Sequence, residues 1–403
     1  MNRRRFLAAA ATLTLGGCDV SVRDGLYNDC RGTLPARLRD HPLVTSAWED
    51  LDATRVVDAH CHLVGIGDGN PDAWIHPQMT NALYPMRSVQ RHFYFNATCV
   101  GDQSPVDAGV VAQLVRQCRE MRAGFRALLL AFDWARDAQG TPDESLSTFR
   151  VSDDYAARVA AQFPEHFAWA ASIHPFDPTA IDRLDRAAAR GAWAIKWLPS
   201  AQNIDPADPR CDPFYARLAA LRIPLITHGG AERAVHSALE EYDNPLRLRR
   251  PLDAGVRVFI AHCASLGEGK DLDAPGTPPR SNFELFTRLM EEPRYRSLLA
   301  GDISAITQAN RMDVCAALLE RTAWHDRLVN GSDYPLPGVV PIVSLPALAE
   351  RGLIAASAVP VLRELRHHNV LLFDFVLKRA LSSHGKRFAP AVFETRRWFP
   401  ATS

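Results

Sequence analysis

The sequence predicts a (β/α)8 TIM barrel, an α/β fold of eight parallel strands closed on themselves, with insertions at the rim. Three observations predict it. From Arg55 onward, short apolar runs alternate with amphipathic segments, the pattern of repeated strand–helix units. There are eight such runs, the number a closed barrel needs. Four of them finish on metal-binding side chains: Val56-Val57-Asp58-Ala59-His60-Cys61-His62, Pro224-Leu225-Ile226-Thr227-His228, Val258-Phe259-Ile260-Ala261-His262 and Leu328-Val329-Asn330-Gly331-Ser332-Asp333. Strands that bring such groups from distant parts of a chain to one rim are how a barrel builds a site at its C-terminal face.

The chain opens on a sorting signal. Arg3-Arg4-Arg5-Phe6-Leu7 supplies a twin-arginine region, and Ala8 to Leu15 forms an apolar run too short to span a bilayer. Leu15-Gly16-Gly17-Cys18 resembles a bacterial lipobox, in which the cysteine is lipidated and becomes the new N-terminus. Asp19 follows it directly, a residue associated in enteric lipoproteins with retention at the inner membrane. Residues 1–17 therefore read as export signal and 18–54 as lipidated tether and lead-in, with Leu34 to Trp48 a candidate helix capping the barrel bottom. The expected address is the periplasmic face of the bacterial cell membrane.

Within residues 55–380 the expected strands are Arg55–His60, Phe125–Asp133, Phe167–His174, Ala192–Trp197, Ile223–His228, Val256–His262, Leu298–Ile303 and Leu328–Asp333. Between them lie expected helices at Val106–Ala123, Asp153–Phe163, Pro178–Arg190, Asp212–Leu221, Asn282–Glu292 and Arg311–Ala323. Pro178 suits a first helical turn and Gly191 a helix stop. No Gly-rich phosphate fingerprint follows the first strand, which counts against a dinucleotide fold. Two long connections, Leu63–Pro105 and Cys263–Arg280, are expected to wall the catalytic rim. Residues 381–403 read as a peripheral extension.

The 403 residues carry 46 Lys plus Arg against 46 Asp plus Glu, so no charge excess points to nucleic acid. A hydrophobic content of 47% supports a sizeable core. With Cys18 assigned to lipid, seven cysteines remain, without CxxC or zinc-finger spacing. The twin-arginine route exports folded proteins, so most of these cysteines are expected to be free core residues. Nothing in the sequence supports a Cys30–Cys99 bridge, although it stays open.

His60 and His62 flank one residue, so on a strand both point to one face, with Cys61 turned to the surrounding helices. Closing the barrel sets Asp333, at the end of the eighth strand, beside that pair. Neutral imidazoles and a carboxylate suit zinc, and other divalent ions nearly as well. A single histidine at a strand end is more often structural than a ligand. It is the joint pattern in barrel order that argues for a metal site.

On these motifs the chain resembles the amidohydrolase superfamily, in particular its amidohydrolase-related branch of hydrolases, lactonases and decarboxylases. The resemblance runs from Arg55 to about Arg379, through Gly331-Ser332-Asp333-Tyr334-Pro335 and Asn369-Val370-Leu371-Leu372-Phe373. It implies His60, His62, His228 and Asp333 as metal contacts. Asp333 would also be the base, and His262 would orient or polarise water or substrate. Lys196 either contacts an anionic substrate or, if carbamylated, bridges two metals. One ion is the favoured count. His174 is a candidate pocket residue and equally a structural one. Asp302 is divided between capping or loop structure and substrate contact, and Asp133 is left outside the site.

The expected reaction is metal-assisted attack of water on a carbonyl of a small molecule, cleaving an amide C–N or a lactone- or ester-type C–O bond. Non-oxidative decarboxylation or hydration in the same pocket is the nearest rival. A non-catalytic metal- or solute-binding lipoprotein is the rival from another class, and the intact ligand positions argue against it.

Overall fold

The structure is a computed structural model that describes residues 21–100, 105–235, 237 and 239–400. The twin-arginine segment and Cys18 lie outside the described residues. Eight parallel strands form one sheet in sequential order. They are β1 (Val57–His62), β2 (Arg126–Leu130), β3 (Phe167–Ala171), β4 (Ala194–Trp197), β5 (Leu225–Thr227), β6 (Val258–Ile260), β7 (Leu299–Asp302) and β8 (Leu328–Val329). The backbone of β1 also bonds the chain following β8: Ala59 N donates to Asn330 O at 2.9 Å and Asp333 N to His60 O at 2.7 Å. These bonds bring the first and last strands together, as the barrel expectation required.

Every expected strand is present, though most are shorter than the apolar run that announced them. The expected helices are present as α2 (Val106–Arg119), α3 (Asp153–Gln162), α4 (Ala180–Ala189), α5 (Asp212–Leu221), α6 (Asn282–Glu291) and α7 (Met312–Glu320), and α1 is introduced below. Local signals set their starts. Ser152 Oγ accepts from Tyr155 N at the head of α3, and Ser281 with Glu284 forms a reciprocal capping box on α6. Pro178 lies just before α4, which begins at Ala180, and Gly191 follows its end with φ +79°.

Alternation along the strands sorts two cores. Val57, Ala59, Leu128, Leu130, Ile226 and Phe259 fill the barrel interior, while their neighbours pack against the helices. β1 breaks the alternation once. Its register with β2 slips between Asp58 and Cys61, a bulge that lets Ala59 face the lower interior and still turns His60 and His62 inward above it.

The ends of the chain differ from expectation. The tail from Ser382 is not peripheral. Phe399 enters the interior cluster at 5.5 Å from the Trp193 ring and 5.7 Å from the Phe259 ring, and Thr395 Oγ1 donates to Val57 O. The tail plugs the barrel bottom because the small interior residues there, among them Ala168 and Ala170, leave room for an aromatic ring. The lead-in instead runs from the rim down the outside. Ser21 N bonds Pro341 O, and Trp48 packs 4.2 Å from the Phe375 ring. Its candidate helix is two short turns, Ala36–Arg39 and Pro42–Ser46, divided where Pro42 lacks a donor. Among the described residues no helix is long and apolar enough to cross a membrane.

The Leu63–Pro105 connection is more ordered than a loop. It contains helix α1 (Pro85–Thr98) and a short strand, Ala73–Ile75, paired antiparallel with Phe149–Val151. Cys99, just past α1, is disulfide-bonded to Cys30, 69 positions away. The expectation of mostly free cysteines holds for Cys61, Cys118, Cys211, Cys263 and Cys315, all buried.

Candidate metal centre

His60, Lys196, His228, His262 and Asp333 come from β1, β4, β5, β6 and β8 and converge at the C-terminal end of the barrel, on the floor of one cleft. His60 Nε2 lies 3.2 Å from His62 Nε2 and 3.5 Å from Asp333 Oδ1, and His62 Nε2 lies 3.2 Å from the same oxygen. His262 Nε2 is 3.8 Å from Asp333 Oδ2. The His228 ring centroid is 5.3 Å from that of His262. His60, His262 and Asp333 form the tightest potential metal-holding group among the described residues. That places His262, expected only to orient or polarise water or substrate, among the available ligands.

Backbone geometry aims these groups. His262 and Asp333 have φ +55° and +61°, a left-handed turn costly for non-glycine residues and tolerated where a site needs it. Gly331 is required for closeness. A Cβ there would stand 2.5 Å from the Cβ of His60 and 2.9 Å from Asp302 Oδ1. Behind the turn, Lys378 Nζ donates to Gly331 O and to Asp374 Oδ2, while Asp58 Oδ1 accepts from Ser332 N and His60 N.

The fit to a cation can be read from the ring nitrogens. His60 Nδ1 lies 2.6 Å from Asp302 Oδ2, so it carries the proton and leaves the Nε2 lone pair facing the cleft. His262 Nδ1 donates to Ser304 O at 3.0 Å, with the same consequence. His228 Nδ1 lies 3.4 Å from Glu232 Oε2, and its buried Nε2 has no protein partner. Buried imidazole lone pairs aimed at one space beside a carboxylate are the donor set a divalent ion takes.

Charge states agree. Burial and the Lys196 charge push His60 well below its ordinary pKa, and burial with Arg311 does the same to His262. Burial also lowers His228, against the pull of Glu232. Burial pushes Asp333 up, yet the hydrogen bond from His62, the adjoining His60 ring and the Lys196 charge hold it well below the usual carboxylate range. The centre thus pairs the neutral imidazoles of His60, His228 and His262 with an ionised carboxylate. Lys196 is buried 3.3 Å from His60 Nε2, and burial brings it down to about 8 against the pull of Asp302 and Asp333.

Not every expected residue joins the site. His174 is buried away from the cleft. Its Nε2 donates to Gln202 O, and its Nδ1 accepts from Phe176 N. Both nitrogens are used, so the structural alternative is the one observed. Asp133 binds His174 N and Arg183 and is likewise structural. Asp302 has the loop-structure role as well as a second one: its Oδ1 accepts from Ser304 N at 2.7 Å, while its Oδ2 orients His60. Ser304, Glu232 and Arg311 were not singled out. Glu232 follows His228 by four residues, and Arg311 reads in sequence only as a helix start; in the structure it lines the cleft and donates to Ser265 Oγ. The cleft walls are mainly apolar, with Phe132, Phe149, Leu198, Leu266 and Ile342 lining the cleft together with the histidines and Asp333.

A family model described as Amidohydrolase matches residues 57–353. No curated protein matches the chain. Solved structures similar to it include an uncharacterized TIM-barrel protein from Bordetella bronchiseptica, at 15% identity and TM-score 0.47 over 77% of this chain and 99% of that one. Another is a probable 2-pyrone-4,6-dicarboxylic acid hydrolase from Acinetobacter baumannii, at 12% identity and TM-score 0.44 over 80% and 95%. A third is 2,6-dihydroxybenzoate decarboxylase from Rhizobium, at 13% identity and TM-score 0.40 over 79% and 97%.

Proposed function

The chain belongs to the amidohydrolase family, and from that premise we propose that it is a metal-dependent hydrolase cleaving an amide C–N or a lactone- or ester-type C–O bond of a small molecule. The observation that supports this most is the convergence of the His60 and His262 Nε2 atoms on Asp333 at the foot of an apolar cleft. His60, His62, His228 and Asp333 would hold one ion, with His262 within reach of it. A bound divalent ion, for which zinc best suits these donors, would supply Lewis-acid activation of water and of the substrate carbonyl near neutral pH. Asp333, ionised and at the rim of β8, takes the proton of the attacking water and passes it to the leaving group. His262, fixed by Ser304, holds the substrate oxygen as charge develops on it. Lys196 binds an anionic group of the substrate.

Decarboxylation is the second reading, favoured by the cations that line the cleft, Lys196 and Arg311 among them, which suit a carboxylate. One screen separates the two. Metal-loaded protein is offered lactones, amides, esters and aromatic acids while acid release and carbon dioxide are recorded. Acid release without carbon dioxide supports hydrolysis; carbon dioxide from an aromatic acid overturns it. The metal assignment has its own check. The His60→Ala/His62→Ala variant should stay folded and lose its ion by elemental analysis, and wild-type metal content would sink it.

The proposal extends to the address. Arg3-Arg4 and the Leu15–Cys18 motif support twin-arginine export and a lipid on Cys18, which would hold the protein at the periplasmic face of the cell membrane.

A further inference from the structure

Among the described residues, the large apolar side chains exposed to solvent gather on one side of the molecule. They are Val22, Leu83, Tyr84, Met86, Leu239 and Leu272. Leu83, Tyr84 and Met86 lie after β1, Leu239 after β5 and Leu272 after β6, so these five belong to connections at the catalytic rim. Val22 follows Ser21, whose N–H bonds Pro341 O next to the cleft-lining Ile342. Among the described residues, the connections at the opposite end of the barrel contribute no exposed large hydrophobic. Leu83 is 83% exposed, in a stretch, Asn81 to Met86, that is exposed throughout and stands four residues from the cleft-lining Met79. Apolar groups gathered on one face mark a surface that meets an apolar partner.

The route of the lead-in says which partner. Tyr27 stacks on Phe93 at 5.3 Å, the Asn96 side-chain amide accepts from Asn28 N and donates to Asn28 O, and Cys30 is bridged to Cys99. The lead-in therefore runs parallel to α1 and is fastened to it, reaching the rim at Ser21. Cys18 is three residues earlier, a reach of about 10 Å at full extension. A lipid on that cysteine can enter a bilayer only close to the rim.

We propose that the catalytic rim is a membrane-docking surface. Leu83, Tyr84 and Met86 insert at the headgroup boundary, and the cleft opens toward the bilayer. This rests on the lipid-anchor reading above and goes beyond it, because a lipid alone would leave the barrel free to tumble on its tether. Substrate would then enter from the membrane interface, and the plugged end would face the aqueous compartment.

The test places an environment-sensitive fluorophore at Leu83→Cys or, on the opposite end, at Glu165→Cys, whose native side chain is 59% exposed. Full-length protein is reconstituted on phosphatidylethanolamine–phosphatidylglycerol vesicles containing doxyl-labelled lipid. Quenching at position 83 and none at 165 is expected. Equal quenching at both, or quenching at 165 alone, overturns the orientation. Flotation of wild type against Cys18→Ala reads the anchor separately. In the Cys18→Ala background, the Leu83→Ser/Tyr84→Ser/Met86→Ser variant should lower the partition coefficient, read from a vesicle titration, about ten-fold. No partitioning of the Cys18→Ala protein, or a changed oligomeric state instead, overturns the docking surface even where the anchor stands.

Discussion

Asp302 Oδ2 sits 2.6 Å from His60 Nδ1 and also accepts the Ser304 hydroxyl at 2.8 Å. One carboxylate thereby sets the His60 tautomer and ties it to the loop whose carbonyl orients His262. Burial pushes Asp302 up to about 6, with Ser304 opposing. Asp302→Ala should leave the barrel folded, since only site residues lose a partner. Metal affinity should fall about 10- to 100-fold, the usual effect of removing the group behind a ligating histidine. Competition with a chelator of known affinity reads the loss; unchanged affinity would contradict the orienting role.

Arg183 predicts where stability outside the site is concentrated. Its guanidinium bonds Asp133, Asp153 and Asp177 at 2.8 Å each, and Ser172 O at 3.1 Å. Asp177 is held down at about 2, because the Thr179 N–H and Arg183 outweigh its burial; Asp153 is pushed up because its burial outweighs Arg183. Arg183→Met leaves these carboxylates uncompensated and should cost about 3–5 kcal/mol at neutral pH. The sign with pH follows. In wild type the Asp177 contribution is complete above its unfolded pKa and is lost only as pH falls toward 2. In the variant the carboxylates take up protons earlier, relieving their repulsion. The gap between the two proteins in urea denaturation should therefore narrow as pH falls from 7 toward about 4; a gap that widens would refute the account.

What was legible in the sequence was whatever one strand or helix carries by itself. Each barrel strand is a run of Val, Ile, Leu, Phe or Ala ending in a polar group, so its existence and the rim position of its last residue are local facts. Strand ends overran because residues such as His262 and Asp333 leave the ladder for left-handed turns. The β1 bulge was not legible, since Val57, Ala59, His60 and His62 cannot all face inward on a regular strand. Partners such as Asp302 for His60 and Glu232 for His228 exist only once the barrel closes. Helix α1 was hidden by its own surface: Arg87, Gln90, Arg91 and His92 dilute the apolar stripe carried by Val89, Phe93 and Phe95. The tail read as peripheral because nothing local marks Phe399 as the plug of an opening made by other strands.

The Cys30–Cys99 bridge closes a segment containing β1 and α1, so it ties the histidine pair and the cleft wall to the lead-in. Both cysteines are only half-buried, so oxidation can follow folding and export. A separation of 69 residues corresponds to about 4 kcal/mol of loop-closure stabilisation. Reduction, or Cys30→Ser with Cys99→Ser, should lower stability by up to that amount. Metal content at neutral pH should not change, since neither sulfur approaches the centre. Denaturation curves with and without reductant check the first statement and elemental analysis the second.

Lys196 separates a one-metal centre from a two-metal centre, because its two roles need opposite charges. As an ammonium it donates toward His60 Nε2 at 3.3 Å and would meet an anionic substrate in the cleft that Arg311 also lines. As a carbamate it would be an anion able to bridge two ions. His60, His62 and Asp333 are mutually close enough to serve one ion without it. Lys196→Ala should therefore keep metal content near one ion per chain, with KM for an anionic substrate rising more than kcat falls. Lys196→Arg should recover part of the binding, since it keeps the charge, though its bulk is poorly accommodated in a fully buried position. Two ions per wild-type chain, falling to one in Lys196→Ala and with activity restored by added short carboxylates, would establish the bridging role instead.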